Sequence, residues 1–279
     1  MSSSSHPPER SIFGVDPLDD FVTQIGEWIW THGRGRQNLE IEGKIGQIID
    51  QETGDRIYLP VRCETIVDLS RTRFDSKMTT SQHAQYNRLL NSLVSRSGEP
   101  SYTGAKVSYQ RRKEVDYFHP TPQGKVRVTR DAETLVIKPD GIIQKQRLAD
   151  LNIHCPHRLF DYRISLNIET PAPEPTSEHA SIREKNRLSY AHQNFIVDLT
   201  QVTVPEKPSE PIHELEIEIK DADQLLQAAA QAKSNPNAAS NGSSATANQE
   251  WTHFDDQILI FLNNIRMLIR NAAAPDERR

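Results

Sequence analysis

Residues 213–220 read HELEIEIK, and three glutamates in this stretch alternate with large apolar residues. A period of two is typical of a β-strand, because successive strand side chains point to opposite faces, whereas a helix would scatter both sets around its circumference. Glutamate is a poor strand former, and like charges along one face repel one another. The pattern therefore predicts either a strand with one solvated acidic face or a strand whose carboxylates are neutralised by other groups.

Two further segments share this alternation. Residues 39–44 read LEIEGK and place Glu40, Glu42 and Lys44 on one face. Residues 160–169 read FDYRISLNIE, and one face of this segment is polar along its whole length, with Asp161, Arg163, Ser165, Asn167 and Glu169. Chance rarely produces two strands of this kind in one chain. We therefore favour carboxylates that are neutralised by other groups over carboxylates that are solvated.

Lysines and arginines also occur at every second residue of other segments. The aligned sets are Arg183, Lys185 and Arg187 in RxKxR, Lys125 with Arg127, and Lys145 with Arg147, while Asp198 shares a face with Thr200. If the apolar faces point outward, these polar faces converge inside a closed barrel, where unpaired charge is very costly. Opposite charges must then pair, bind ions, or both. The alternative for RxKxR is an exposed basic strand that protects a sheet edge.

The remaining pattern predicts an α+β fold that is mainly β, an antiparallel sheet or barrel flanked by helices. We expect strands at residues 39–46, 56–67, 106–118, 124–130, 160–169, 182–190, 195–202 and 213–220. Apolar residues at helical spacing predict helices from Asp16 and Pro17 to Gly33, over 81–95 and over 251–271. A single domain would span residues 16–271, with a loop at 171–180, a disordered low-complexity insert at 233–250 and disordered ends at 1–15 and 272–279.

The bulk composition restricts the classes of partner. The formal net charge is −5, which argues against a broad basic surface for nucleic acid but leaves room for a local cationic site. The two cysteines form no disulfide framework, the first ten residues lack the apolar core of a signal peptide, and no apolar run reaches the length of a membrane span. We therefore expect a soluble protein of the cytosol or nucleus with no membrane or DNA partner.

The residue types indicate the chemistry of such a lumen. Clustered carboxylates suit Mg²⁺ or Mn²⁺, which prefer oxygen ligands, and facing arginines and lysines suit phosphate oxygens. A polyphosphate chain would bind both kinds of group, and hydrolysis of its terminal phosphoanhydride needs positive charge and carboxylates that orient water. The chain has no glycine-rich phosphate loop and no cysteine in a helix-capped loop, which disfavours a Walker-type nucleotidase and a cysteine phosphatase.

One motif invites a different interpretation. His154, Cys155, Pro156 and His157 are consecutive and could suggest a zinc site. The tight spacing and the lack of another cysteine or histidine pair nearby favour a surface loop instead.

The motifs together resemble those of a known family. ELEIE at 214–218, LEIEGK at 39–44, DYRISLNIETP at 161–171, and RxKxRLSY followed by DLT at 183–200 are similar in order and spacing to the fungal metal-dependent mRNA-capping RNA 5′-triphosphatase, the capping enzyme beta subunit of the triphosphate tunnel metalloenzymes. The resemblance covers residues 16–271. It implies a closed antiparallel eight-stranded tunnel that removes the γ-phosphate from 5′-triphosphate-ended nascent mRNA, with Mg²⁺ or Mn²⁺, as the first step of cap formation in the nucleus.

The resemblance also implies a role for each matching residue. It assigns Glu40, Glu42 and Glu218 to the metal, and Glu214 and Glu216 to the attacking water. It assigns Arg127, Lys185 and Arg187 to the phosphates, with Lys145 and Arg183 in support. Glu169, Asp198 and Thr200 would fix these cations, and Asp116 is a further candidate of that kind. Ile196 stands where the family usually has an arginine, so one cationic contact near Asp198 is either lost or supplied from elsewhere.

The implied partners are the RNA 5′ end and an RNA guanylyltransferase, the capping enzyme alpha subunit, although the family's docking segment for that enzyme is not recognisable. Some relatives are homodimers, so a homodimer is a further expectation. Two alternatives stay open. The same barrel could hydrolyse tripolyphosphate, thiamine triphosphate or free NTPs, or the protein could be a non-catalytic anion-binding scaffold for a capping partner. Intact acidic and basic rows favour catalysis over the scaffold.

Overall fold

The alternating segments form the strands of one sheet in the computed structural model, which describes residues 11–13, 17–122, 124–234 and 251–273. The strands are β1 (Leu39–Asp50), β2 (Thr65–Val67), β3 (Thr72–Asp75), β4 (Ser108–Thr121), β5 (Gly124–Asp131), β6 (Ile137–His154), β7 (Asp161–Pro171), β8 (Ser181–His192), β9 (Phe195–Thr203) and β10 (Ile212–Ile219).

Eight of these strands close into an antiparallel barrel. The order is β10-β9-β8-β4-β5-β6-β7-β1, and β1 pairs again with β10. The short strands lie outside this ring, since β2 pairs with β6 and β3 pairs with the second half of β1. Closure removes every edge in the ring, so the predicted eight-stranded antiparallel barrel is confirmed.

Within the described ranges, four helices lie beside the barrel: α1 (Asp20–Gly33), α2 (Thr80–Ser97), α3 (Ala222–Ser234) and α4 (His253–Arg270). The predicted α2 and α4 are confirmed within a few residues. The predicted start of α1 is wrong, because the Asp19 carboxylate caps the helix by accepting hydrogen bonds from the Phe21 and Val22 amides, and Pro17 precedes it. Asp16 lies outside the described residues.

The insert boundary also differs from the prediction. Helix α3 lies outside the predicted helices, and its last residues, Lys233 and Ser234, belong to the stretch expected to be disordered. The rest of the predicted insert, 235–250, lies outside the described residues, as do the terminal stretches 1–10 and 274–279. Among the helices of the described ranges, none has both the length and the apolar character that crossing a bilayer requires.

The apolar positions of the alternating strands face outward and form the main core with the helices. Leu215, Ile217 and Ile219 on β10 are almost fully buried there, together with Phe261 and Ile265 of α4. A Cβ at Gly43 would lie 2.6 Å from Ile265 Cδ1 and 3.2 Å from Phe261 Cζ. The glycine in LEIEGK therefore allows α4 to pack directly on the strand that carries the acidic row.

A second glycine lets the chain after β3 cross close to β1. A Cβ at Gly46 would lie 2.2 Å from the carbonyl oxygen of Asp75. The next residue, Ser76, donates a hydrogen bond from its hydroxyl to the Glu214 carboxylate at 3.3 Å, and the Met78 amide donates to the His213 carbonyl at 3.0 Å. This crossing segment therefore contacts one end of the acidic strand β10.

Two strand predictions are corrected. Of residues 56–67, only Thr65–Val67 forms a strand, because Pro60 cannot donate to a ladder and the Arg56 side chain turns to the buried Asp161 carboxylate. Strand β6 was not predicted as a whole, since Pro139, Gly141 and a bulge between Arg147 and Ala149 interrupt its period of two. The loop at 171–180 is confirmed beyond Pro171.

The surface-loop prediction for residues 154–157 is partly wrong. His154 ends β6, and both His154 and Cys155 are buried. The Asp161 carboxylate holds both residues, since it contacts His154 Nδ1 at 2.9 Å and accepts the Cys155 amide at 2.9 Å. Only His157 of the two histidines is exposed.

Candidate active site in the barrel lumen

The two glutamate rows face each other inside the barrel. On the antiparallel pair β1–β10, Glu42 lies directly opposite Glu218 and Lys44 lies directly opposite Glu216. Glu42 is only 3% exposed to solvent, whereas a glutamate in an ordinary environment is hydrated and charged at neutral pH. The alternation therefore brings the predicted acidic segments together on one wall of the lumen.

Asn167 on β7 connects the two glutamates of β1. Its Nδ2 group donates to Glu40 Oε2 at 2.8 Å and to Glu42 Oε1 at 3.0 Å. Its Oδ1 atom accepts a hydrogen bond from Arg147 Nε at 2.9 Å. Because the amide is fully buried and uses both ends, it fixes the directions of both carboxylates.

Two lysines balance the acidic wall. Lys145 on β6 pairs with Glu40, lies 3.8 Å from Glu42 and lies 3.4 Å from Glu169. Lys44 lies 3.3 Å from Glu42 and 3.4 Å from Glu216. Burial opposes the charge of Lys44, but the neighbouring carboxylates outweigh it and raise the pKa of Lys44. Both ammonium groups therefore stay charged among the glutamates.

The cationic row of β8 lies across the lumen. Arg187 Nη1 contacts Asp198 Oδ2 at 2.6 Å and Nη2 lies 3.8 Å from Glu216. Lys185 pairs with the buried Asp116, whose Oδ1 accepts the Thr129 hydroxyl at 2.7 Å. Arg187 and Lys185 are thus each held by a carboxylate on a strand that neighbours β8.

The other predicted cations also lie in the lumen. Arg127 lies 3.6 Å from Glu169, and Arg183 lies 3.4 Å from Glu214. Thr200 is buried directly opposite Arg187 and Glu214 on its two neighbouring strands. All the residues named as site candidates from the sequence are therefore brought into one barrel interior.

Beside Ile196 lies one carboxyl group, Glu218, that has no salt-bridge partner among the described residues, although the charge of Arg187 acts on it. Ile196 lies directly opposite Glu218 on β9, and within the described ranges no salt bridge or hydrogen bond joins Glu218 to another side chain. Burial, together with the nearby Glu40, Glu216 and Asp198, raises the pKa of Glu218 to about 8. The missing arginine thus leaves a buried carboxyl group that is available to another cation.

Asp198 keeps its cationic contacts in spite of that substitution. Besides Arg187, it has Arg112 of β4 with Nη2 at 4.0 Å, and Arg112 also donates to the Ser189 hydroxyl at 2.9 Å. Arg112 is therefore a second guanidinium group beside Asp198, on the side where Ile196 supplies none. Arg112 is not among the residues predicted for the site, although it lies on the same face of its strand as Asp116.

The carboxylates of β10 differ in their proton affinity. Burial alone would raise the pKa of Glu216, but the charges of Lys44, Arg187, Lys145 and Lys185 lower it to about 2. Glu216 is consequently ionised at neutral pH, whereas Glu218 is largely protonated. An ionised Glu216 can accept a hydrogen bond from water, but it is too weak a base to remove the water's proton at equilibrium.

The acidic wall suits a hard divalent cation by its chemistry. Glu40, Glu42 and Glu218 offer only oxygen atoms, the donors that Mg²⁺ and Mn²⁺ prefer. Within the described ranges, no three His, Cys, Asp or Glu side chains already stand in a ligand arrangement. Lys145 instead occupies the space between Glu40 and Glu42, so metal binding at these residues would require its ammonium group to move.

Unused donors remain on the cationic side. The Nε atoms of Arg112, Arg127 and Arg187 are buried and have no hydrogen-bond partner in the described part of the chain. A phosphate oxygen is the natural partner for such a donor, because guanidinium groups bind phosphate with charge-assisted hydrogen bonds. The lumen therefore combines carboxylates for a cation with arginines for phosphate.

Comparison with known proteins gives consistent matches over most of the chain. Residues 15–274 match the family model described as mRNA capping enzyme, beta chain. The chain is 33% identical over 280 residues to an mRNA-capping enzyme subunit beta of Cryptococcus neoformans, covering 95% of this chain and 65% of the relative. It is 32% identical over 244 residues to the corresponding subunit of Schizosaccharomyces pombe, covering 84% of this chain and 75% of that one.

The fold comparison agrees with these matches. The solved structure of S. pombe Pct1 RNA triphosphatase superposes with a TM-score of 0.83 at 30% identity, covering 95% of this chain and 98% of that one. Its structure in complex with the Spt5 CTD superposes with a TM-score of 0.82.

Proposed function

Because the chain belongs to the mRNA capping enzyme beta chain family, we propose that it is an RNA 5′-triphosphatase. Its substrate is the 5′-triphosphate end of nascent mRNA, and its products are inorganic phosphate and a 5′-diphosphate end, as the first step of cap formation. One observation carries this proposal. A single barrel interior places the glutamates of β1 and β10 opposite arginines and lysines that retain unused donors.

The cationic row binds the triphosphate in this proposal. Arg127, Lys185 and Arg187 donate to the phosphate oxygens, while Asp116, Glu169 and Asp198 hold these side chains in place. Arg183 stands beside Glu214, and Lys145 can transfer its contacts from the glutamates to a phosphate oxygen. These charges stabilise the negative charge on the equatorial oxygens during in-line attack.

The acidic wall has two tasks. Glu40, Glu42 and Glu218 would hold Mg²⁺ or Mn²⁺, which supplies positive charge to the γ-phosphate when bound. Glu214 and Glu216 orient the attacking water, since the ionised Glu216 accepts its hydrogen bond and cannot itself take the proton in the ground state. As bonding to phosphorus develops the water becomes strongly acidic, and only then does its proton pass to the Glu216 carboxylate, while the bond to the β-phosphate breaks and the diphosphate end leaves.

A second candidate function rests on what the lumen recognises. The groups that line it bind phosphate and metal, and none of the candidate residues is suited to reading a nucleobase. Hydrolysis of tripolyphosphate or free NTPs is therefore the alternative reaction. A non-catalytic anion-binding scaffold is the remaining alternative, and the complete acidic and basic rows argue against it.

Family membership also suggests partners and location. We propose that the protein works with an RNA guanylyltransferase, the capping enzyme alpha subunit, since its relatives are named as beta subunits. The S. pombe Pct1 RNA triphosphatase has been solved in complex with the Spt5 CTD, so a segment that corresponds to the Spt5 CTD is a further proposed partner. We place the protein in the nucleus and propose that it can form a homodimer.

The test compares phosphate release from γ-labelled triphosphate RNA, ATP and tripolyphosphate, each with Mg²⁺, Mn²⁺ or a chelator. We expect release from RNA with metal and none with chelator. Glu40→Ala should abolish release while the protein stays folded, and the exposed Glu99→Ala serves as its control. Faster turnover of tripolyphosphate than RNA would support the alternative reaction, and release from no substrate would leave only the scaffold.

A further inference from the structure

A second cationic cavity lies on the outer surface of the barrel, apart from the lumen residues. It has a volume of about 250 Å³ and lies between the segment before β2, the turn joining β6 to β7, and the last turns of α4. Its charged lining comprises Arg62, Glu64, His157, Arg158, Arg266 and Arg270. We call it the arginine pocket. Its turn includes the His154–His157 motif, to which the proposed reaction gives no role.

The turn that forms one wall of the arginine pocket is held in place by hydrogen bonds to its backbone. Arg56 pairs with the fully buried Asp161 and also donates to the carbonyl oxygens of Cys155 at 2.8 Å and of Arg158 at 2.6 Å. Asp161 in turn accepts the amides of Ile48 and Cys155. The backbone that presents His157 and Arg158 is therefore held by a buried ion pair.

The pocket has an excess of positive charge. Among the described lining residues the one carboxylate is Glu64, which pairs with Arg266 and accepts a hydrogen bond from the Tyr162 hydroxyl at 3.3 Å. Within the described part of the chain, no salt bridge joins Arg62, Arg158 or Arg270 to a carboxylate. Three exposed arginines thus line one cavity, in a protein whose formal net charge is −5. Their mutual repulsion is relieved if an anion binds between them.

The shape and lining of the cavity restrict the anion. Pockets for drug-sized ligands span about 300–1,000 Å³, so this cavity suits a smaller group. Arginine clusters bind phosphate by paired hydrogen bonds, and Pro156 and Ile269 add an apolar wall. Single-stranded RNA would require aromatic platforms for its bases, and His157 is the one ring in the lining.

We propose that the arginine pocket binds an aliphatic phosphate monoester. The phosphate lies between Arg62, Arg158 and Arg270, and the carbon body of the ester lies against Pro156 and Ile269. This site is independent of the proposed reaction, since none of its residues faces the lumen. Phosphoserine-type groups and sugar phosphates share this chemistry, so the experiment must separate these two sources.

The test is titration calorimetry of the full chain in chelator, with O-phosphoserine, ribose 5-phosphate, inorganic phosphate and unmodified serine. The pocket variant carries Arg158→Gln with Arg270→Gln. Its matched control carries Arg36→Gln with Arg88→Gln, two exposed arginines outside the pocket that lose the same charge. A lumen variant, Arg127→Gln, reports any binding inside the barrel.

We expect one of the esters to bind the native chain, with at least tenfold weaker binding to the pocket variant and less than twofold change in the matched control and the lumen variant. The tighter of the two esters identifies the source. The proposal is overturned if the pocket variant binds normally, if Arg127→Gln removes the binding, or if no ester binds. Inorganic phosphate binding as tightly as both esters would also overturn the assignment of a monoester.

Discussion

Glu42 and Glu218 lie directly opposite each other on the antiparallel strands β1 and β10. Two ionised carboxylates in this position would destabilise a sheet, and burial raises the pKa of both glutamates, so that Glu218 is largely protonated at neutral pH. Lys44 and Lys145 contact Glu42, whereas the strand beside Glu218 presents Ile196. Glu218 is therefore a carboxyl group of the lumen that no salt bridge stabilises in its ionised form within the described residues.

We predict that a divalent cation raises the thermal stability of the protein by binding at this position. At about 100 times its dissociation constant, a ligand of the folded state contributes about 2.7 kcal/mol. For a domain of about 150–250 residues this corresponds to a rise in Tm of roughly 5–11 °C. Thermal unfolding followed by circular dichroism, with Mn²⁺ or chelator, measures the shift without reference to activity.

Variants locate the cation in the same experiment. Glu218→Gln should remove most of the Mn²⁺-dependent shift, and Glu99→Gln, at an exposed position, should retain it. A full shift in Glu218→Gln would mean that the cation binds elsewhere.

Strand parity explains how much of this site was predictable. Charged residues recur at every second position of the strands, and this spacing predicts which strand faces line the lumen. The ion pairs Arg187–Asp198 and Lys185–Asp116 follow from that arrangement. The bulge between Arg147 and Ala149 could not be predicted from strand periodicity. It brings Arg147 and Asp150, which are three positions apart, onto the same face of β6. Alternation alone would have placed them on opposite faces.

Contacts that depend on the register between strands could not be predicted from the sequence either. The pairing of Glu40 with Asn167 comes from the alignment of β1 with β7, which no local pattern specifies. The same holds for Arg112, whose contact with Asp198 crosses from β4 over β8 to β9. Arg56 belongs to a segment expected to be a strand, and its real role depends on the distant Asp161.

Asn167 is predicted to position the two glutamates of β1. Asn167→Ala removes one donor from each carboxylate and leaves Arg147 Nε without its acceptor. Loss of buried partners of this kind costs about 1–3 kcal/mol. We expect weaker Mn²⁺ binding by calorimetry and a fall in kcat of at least tenfold.

The matched control for that variant is Asn152→Ala. Asn152 also accepts from a lumen arginine, with its Oδ1 at 2.8 Å from Arg163 Nε, but within the described residues it has no hydrogen bond to the glutamates. It should lose stability without the large loss of metal affinity. Equal metal affinity in the two variants would show that Asn167 contributes only to folding.

Arg112 is predicted to substitute for the arginine that Ile196 replaces. Removing it leaves Asp198 with Arg187 alone, so Arg112→Ala should lower kcat/KM about three- to thirtyfold, the effect of roughly 0.7–2 kcal/mol in transition-state stabilisation. Arg111→Ala on the same strand is the control, because that side chain points out of the lumen to Asn186.

A second substitution tests whether an arginine at position 196 can compensate for the loss of Arg112. Ile196→Arg places a guanidinium group opposite Glu218 and two residues before Asp198. It should restore part of the activity lost in Arg112→Ala, measured as phosphate release under saturating metal. Failure to restore any activity in a folded double variant would contradict the compensation.

The histidine pair between α2 and β10 predicts a loss of stability in mild acid. His83 and His213 lie with ring centroids 4.5 Å apart, and burial, with the neighbouring His213, lowers the pKa of His83 to about 4. Burial also lowers the pKa of His213. A histidine whose folded pKa is depressed contributes stability that is present above its unfolded pKa of about 6.5 and is lost as pH falls toward 4.

The expected loss attributable to His83 is about 1–3 kcal/mol between pH 6.5 and pH 4, from a pKa difference of about two units. Urea unfolding at several pH values measures it as the difference between the native protein and His83→Phe, which keeps the ring and cannot be protonated. His157→Gln removes an exposed imidazole and should follow the native curve. Parallel curves for the native protein and His83→Phe would show that His83 does not titrate in this range. In that case the acid sensitivity of the α2 contact would have to arise from His213 or from the carboxylates of the lumen.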